Sequence, residues 1–158
     1  MKALIVVETC FGNTSSVADA ITDGLRSAGA EVETIPADAA PPRLTADLVL
    51  VGAPTHNLGL PSPDSRRQAV DKGAATTPAT GVREWIAGVQ TLDGRVVTFS
   101  TTTGGMFAGS AGKAIVKALK QRRVSARRGV DFQVMGTPGP LADGELDRAR
   151  EWGRTLRD

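Results

Sequence analysis

The sequence has one cysteine and one histidine among 158 residues. A lone cysteine forms no internal disulfide, and one Cys with one His does not furnish a protein-only zinc site. A reducing, cytoplasmic setting fits that composition. No apolar run approaches the roughly 20 residues that span a bilayer, so no membrane insertion is expected. The N-terminus enters an apolar strand directly, without a basic stretch before it, and no signal peptide is expected. Tyrosine is absent and aromatics make up 4% of the chain. Acidic residues are missing from Phe99 to Arg128, where Lys113, Lys117, Lys120, Arg122, Arg123, Arg127 and Arg128 crowd together. With no aromatic rings interleaved, that basic region lacks the stacking platform of a single-strand binder, and no nucleic-acid partner is expected. It reads as a solvated helix face with its exit loop, or as a dock for an acidic partner. Several fingerprints are also missing. There is no G-x-G-x-x-G after the first strand and no G-x-S-x-G elbow. The run from Phe107 to Ala114 lacks the opening Gly and closing Ser or Thr of a Walker loop, and reads as a helix start with Lys113 exposed.

What is present is an alternation. Hydrophobic content of 41% and charged content of 23%, with a net charge of +2, are ordinary for a folded protein. The length suits one domain over residues 1–158. Ala3–Val7 reads as a buried strand. Val17, Ala18, Ile21 and Leu25 then recur at helical spacing up to a stop at Gly29. Residues 31–35 alternate polar and apolar, as an edge strand does. Pro36, Pro41 and Pro42 break the chain before Leu48–Val51, a continuous apolar run expected at the sheet centre. Helices are expected over Ser62–Val70, Gly81–Val89, Ser110–Gln121 and Asp143–Leu156. Arg95–Phe99 forms a fourth strand and Val124–Val134 a fifth, interrupted near Arg128-Gly129. Trp85 belongs to an apolar stripe with Val82, Ile86 and Val89 and is expected in the core. Strands alternating with helices predict an α/β protein: a doubly wound five-stranded parallel sheet with helices on both faces.

In such a sheet ligands bind beyond the carboxyl ends of the strands. Three polar loops follow carboxyl ends here. The first, Thr9-Cys10-Phe11-Gly12-Asn13-Thr14, opens a helix. A helix start offers N–H groups without internal partners and a dipole that favours negative charge, and one Gly lets an anion approach the backbone. The same loop also reads as an ordinary strand–helix turn with a Thr or Asn cap. The second loop begins Gly52-Ala53-Pro54-Thr55-His56-Asn57, and the third is Ser100-Thr101-Thr102-Thr103-Gly104-Gly105. Cys10, ahead of a helix start, reads either as a thiol of lowered pKa or as a small filler.

These loops carry a resemblance that covers nearly the whole chain. Thr9 to Thr14 resembles the phosphate loop of flavodoxins, T/S-x-x-G-N-T. Gly52 to His56 resembles the second flavodoxin loop, where a G-x-S/P-T-aromatic run flanks the isoalloxazine ring. Ser100 to Gly105 stands where the third loop meets the flavin's other side. The closing segment from Thr137 to Trp152 resembles actinobacterial members of the group. The resemblance implies a short-chain flavodoxin-like fold with strand order 2-1-3-4-5 and bound FMN. It implies that Thr9, Asn13 and Thr14 donate side-chain hydrogen bonds to the FMN phosphate. Backbone N–H groups of the loop, including Phe11 and Gly12, would join them, with Cys10 between. Pro54, Thr55 and His56 would lie along one flavin face and edge, and backbone groups of Ser100, Thr101 and Thr102 would meet the pyrimidine edge, with Gly105 closing the third loop.

Departures from the family pattern carry their own expectations. His56 stands where many members have Trp or Tyr; an imidazole stacks with less area and titrates near neutral pH. It reads as a flavin contact or as a solvent-facing loop residue. Asn57 stands where the family has the Gly whose peptide flips toward flavin N5, and Asn tolerates positive φ better than most residues. The third loop has no clear stacker; Met106 and Phe107 are the candidates, each equally suited to the core. The absence of acid there predicts a less negative potential for the reduced couple. Three functions follow from the resemblance. The chain is an FMN-binding electron-transfer protein working between redox partner proteins, an FMN-dependent NAD(P)H quinone or small-molecule reductase, or a flavodoxin-like module that has lost FMN.

Overall fold

In the computed structural model, residues 1–157 are described. β1 (Lys2–Val7) runs between β2 (Glu31–Pro36) and β3 (Arg43–Pro54), which in turn meets β4 (Thr91–Thr102) and then β5 (Ala126–Gln133). All four pairings are parallel and the order is β2-β1-β3-β4-β5. This is the doubly wound sheet that the alternation predicts. Side chains of a strand point alternately to its two faces. Ala3, Ile5 and Val7 of β1 accordingly join one core, and Leu4 and Val6 the other. On the first face lie α1 (Asn13–Ser27) and α5 (Glu145–Thr155), which supply Val17, Ile21, Leu25 and Ala149. On the second lie α3 (Val82–Gly88) and α4 (Ala111–Gln121), which supply Val82, Ile86, Ile115 and Leu119. Trp85 is buried in that second core, and its Nε1–H donates to the Pro41 carbonyl at 2.9 Å.

α2 (Pro63–Asp71) is the exception. Its start follows the expected rule: Ser62 caps it in a reciprocal capping box with Ser65, and proline sits in the first turn. Yet no α2 residue belongs to either main core. Ala69 joins only a small cluster with Cys10, Ala74 and Phe11.

β3 and β4 both extend beyond the runs expected for them, Leu48–Val51 and Arg95–Phe99. β3 begins at Arg43 rather than near Leu48, because Arg43, Leu44 and Thr45 pair with Thr91, Leu92 and Asp93 of β4, with an irregularity before Leu48. β4 runs on through Thr102, because Ser100, Thr101 and Thr102 pair with β5 and Ser100 and Thr101 also with β3. The expected interruption of β5 is present: the register slips between Thr98 and Ser100, opposite Arg128 and Asp131. Among the described residues, no helix is long and apolar enough to cross a membrane.

Candidate functional site

β1, β3 and β4 end side by side, and a cleft opens beyond their carboxyl ends. It holds about 780 Å³ of empty space, counting the mouth open to solvent. Pockets of this size accept cofactor-sized molecules.

The first loop forms one end. α1 starts after Gly12, which sits at φ 90°, a left-handed conformation that suits glycine. No side chain caps this helix. Its first N–H groups therefore lack a protein partner, and a Cβ placed on Gly12 would meet nothing within 4 Å. Open space over an uncapped helix start is the geometry an anion requires. Thr9, Cys10, Phe11, Asn13 and Thr14 line the cleft, while Gly12 shapes the turn behind them. Their side chains are more committed than the sequence implied. The Thr9 hydroxyl accepts from Gly12 N–H at 3.0 Å and keeps its own proton to donate outward. The Asn13 amide donates to the Pro138 carbonyl at 2.8 Å. Thr14, buried, shares a 2.8 Å hydrogen bond with the Thr101 hydroxyl. Burial pushes the Cys10 thiol up to about 11; the charge of Glu8 adds to this and that of Arg66 opposes it. Cys10 is thus a neutral filler in the loop.

The second loop supplies Pro54, Thr55, His56 and Asn57 to the cleft. Gly52 beneath them leaves room for the Phe99 ring, which a Cβ would meet at 2.1 Å. Thr55 locks the loop to its neighbours: its N–H donates to the Thr101 carbonyl at 2.8 Å, and its hydroxyl accepts from Ala111 N–H at 3.0 Å. His56 and Gly59 exchange two backbone hydrogen bonds of 2.9 Å around Asn57 and Leu58, at φ 49° and 71°. Asn57 thus already occupies the positive-φ conformation expected of the family's glycine. The His56 Nδ1 shares a 2.8 Å hydrogen bond with the Ser65 hydroxyl. Burial holds its imidazole below the ordinary value; Glu8 opposes that shift, while Arg66 and Lys72 add to it. His56 is a half-buried, oriented residue of the cleft wall.

At the third loop, Thr101 and Thr102 line the cleft with Thr103, but Ser100 and Gly105 do not. Ser100 is fully buried, and its hydroxyl donates to Asp131 at 2.7 Å. The carbonyls of Thr101 and Thr102 already accept from Thr55 and Val134 N–H groups. The carbonyls of Thr101 and Thr102 are thus engaged within the fold, and the Thr103 carbonyl accepts from the Gln133 side-chain amide at 3.5 Å. Met106 and Phe107 neither stack in the cleft nor join a core; they are exposed.

Two walls carried no role in the sequence reading. Ser65, Gln68, Ala69 and Lys72 line the cleft from α2 and its C-terminal cap, at i, i+3, i+4 and i+7. That spacing is visible in the sequence. From the segment after β5 come Val134, Gly136, Thr137 and Pro138. Among the described residues, Lys72 is the one charged residue lining the cleft, and no carboxylate lines it.

Behind α2 lies a buried ion cluster. The Arg66 guanidinium donates to Glu8 at 2.8 Å and to Glu84 at 2.6 Å, with Arg66 and Glu8 almost wholly buried. Glu8 also accepts from Val82 N–H at 2.9 Å, and Glu84 from Gly81 N–H at 2.8 Å. These carboxylates raise the Arg66 guanidinium's already high value, although burial opposes them. The cluster ties α2 to the end of β1 and the start of α3. Among the described residues, no group of three or more acidic, His or Cys side chains gathers to hold a metal.

Solved structures of similar shape report on this arrangement. A flavodoxin from the domain Archaea superposes with a TM-score of 0.62, covering 99% of this chain and 96% of that one at 17% identity. The chain has the flavodoxin fold. Oxidised Flavodoxin 1 from Bacillus cereus matches with a TM-score of 0.62 at 16% identity, over 97% of this chain and 95% of its own. A flavone reductase matches 99% of this chain but 62% of its own length, at 14% identity and a TM-score of 0.62. No family model matches the sequence. No curated protein matches it either. In the flavodoxin fold as this chain builds it, the cleft lies at the switch point, where the chain passes from β1 to β2 on one side and to β3 on the other.

Proposed function

We propose that the chain is an FMN-binding electron carrier, with FMN phosphate at the start of α1. One observation carries the reading: an uncapped helix N-terminus under a left-handed Gly12 opens into a cleft without a carboxylate. A dianionic phosphate fits that end, where helix N–H groups and the Thr9 hydroxyl are free to donate. FMN, when bound, supplies one- and two-electron chemistry. The chain's own part is to hold and tune. His56, fixed by Ser65, offers a neutral face to a planar ring, and Lys72 places a positive charge at the rim. The α1 N–H groups and the Thr9 hydroxyl suit the phosphate end, where the Asn13 amide and Thr14 hydroxyl are partly engaged by Pro138 and Thr101, and His56 and Phe11 suit the ring end without an aromatic from the third loop.

The visible spectrum of freshly purified protein tests the reading, with FMN added if it is colourless. The expected result is a yellow protein, or saturable quenching of FMN fluorescence at one site per chain. A colourless protein that quenches nothing overturns it and leaves the cofactor-free module. A second reading, an FMN-dependent NAD(P)H reductase, is supported by Lys72 and Gln68, which present a cationic, hydrogen-bonding wall beside the proposed ring site. Steady NAD(P)H oxidation by the purified protein alone separates it from the carrier.

A further inference from the structure

Three large apolar side chains stand in solvent beside the cleft. Leu58 is 65% exposed, Met106 90% and Phe107 85%. None of them lines the cleft. Leu58 is also strained: φ 71° is a left-handed conformation that Asn or Gly adopts far more readily than leucine. A bridge between Leu58 and Gly109 joins the second loop to the third, which carries Met106 and Phe107. Methionine and aromatic residues are the types that fill the centres of protein interfaces.

Charge extends this surface in one direction. The second loop rests on the first turn of α4, where a Cβ on Gly59 would meet the Ala114 side chain at 3.8 Å. From that turn Lys113, Lys117 and Lys120 form an exposed stripe at i, i+4 and i+7. Among the described residues, none of the three forms a salt bridge. No acidic residue between Phe99 and Arg128 neutralises them. A second copy of the chain is disfavoured as occupant, because a two-fold contact through this face brings like-charged stripes together.

We propose that the second and third loops, with the lysine stripe of α4, form the docking face for an acidic protein. Its apolar centre covers Leu58, Met106 and Phe107, and its carboxylates meet Lys113, Lys117 and Lys120. The partner's redox character rests on the electron-carrier reading; the docking does not.

Titration of the 15N-labelled protein by NMR tests this at low salt, with an acidic [2Fe–2S] ferredoxin as probe and a basic cytochrome c as control. The expected result is that shift changes or broadening from ferredoxin gather at residues 57–59, 105–109 and 113–120, and vanish in about 0.5 M salt, where charges farther apart than a few Å are screened. Lys113→Glu with Lys117→Glu weakens ferredoxin binding at least tenfold. Phe107→Ser, at an exposed site that leaves the fold intact, weakens it several-fold without changing its salt dependence. Perturbations elsewhere, equal binding by the charge-reversed variant, or preference for cytochrome c or for anionic lipid vesicles overturns the proposal. FMN uptake is read separately by absorbance. A protein that binds ferredoxin here but takes up no FMN keeps the docking face and sinks the carrier.

Discussion

Thr14 and Thr101 share one buried hydrogen bond of 2.8 Å, across 87 residues of sequence. The bond fastens the start of α1 to the end of β4, and so fixes two walls of the cleft against each other. Thr14→Val leaves the Thr101 hydroxyl buried without that partner and is expected to cost about 1–3 kcal/mol, whereas the double change to valine is expected to cost much less. Urea unfolding of the two single variants and the double variant measures the coupling; additive losses would show that the bond contributes nothing of its own.

Arg66 holds two carboxylates, and removing it strands Glu8 almost wholly buried. Arg66→Met is expected to lose about 3–5 kcal/mol, the range for breaking one partner of a buried pair. Glu84 supplies the pH dependence. Burial alone would raise its carboxyl, but hydrogen bonds from Arg66 and Gly81 N–H, with Arg66's charge, hold it below the ordinary value. A depressed carboxylate contributes stability above its unfolded value, about 4, and that stability is lost as pH falls through the lower folded value. Thermal melts from pH 7 down to 3 are expected to decline below about pH 4, less steeply in Glu84→Gln.

His56 is neutral in the fold at pH 7, because its imidazole sits below an ordinary value of about 6.5. As pH falls through that value the unfolded chain takes up a proton that the folded one resists, so stability drops until the lower folded value is reached. His56→Gln is expected to remove this drop from melts between pH 7 and 5. His56→Trp enlarges the face offered to a planar ring and is expected to tighten FMN by up to about tenfold, the worth of a good aromatic contact. Fluorescence titration checks the second expectation; unchanged or weaker binding would place the ring elsewhere.

Among the described residues, Lys72 is the one charge on the cleft wall. Reducing FMN adds negative charge, which a nearby cation favours. The couple of the fully reduced form is therefore expected to be less negative here than in a cleft ringed by carboxylates. Lys72→Gln is expected to shift it on the order of 20–40 mV more negative, the size of a solvent-screened interaction at several Å. A redox titration of the FMN-loaded protein measures it. A very low starting potential, or no shift on substitution, would remove Lys72 from the account.

Much of this was readable because local pattern and tertiary role coincide. The continuous apolar run at Leu48–Val51 belongs to a strand paired on both sides, and the alternation at residues 31–35 to an edge. Where local chemistry and tertiary pairing diverge, the sequence misleads. Ser100 to Thr102 look like a loop because hydroxyls suit loops, but threonine also suits a strand, and the decisive partners, Phe132 and Gln133, lie some thirty residues on. Arg43 to Thr45 follow two prolines, and only pairing with Thr91 to Asp93 makes them a strand. The residues of α2 that line the cleft repeat at a legible interval, yet nothing local says which way that face turns. The Glu8–Arg66 pair spans 58 residues and has no local signature at all.

The way α2 is held has a thermal consequence. The sheet under the cleft is secured by apolar burial, which weakens on cooling and carries a large heat capacity. The α2 wall is secured mainly by Arg66, Glu8 and Glu84, whose desolvation cost shrinks on warming. Both gain on warming from the cold, but the apolar contribution plateaus while that of the ion cluster goes on growing. The wall's hold relative to the floor should therefore strengthen as the protein warms, so that the α2 side of the cleft is the part least loosened by heat below the melting point.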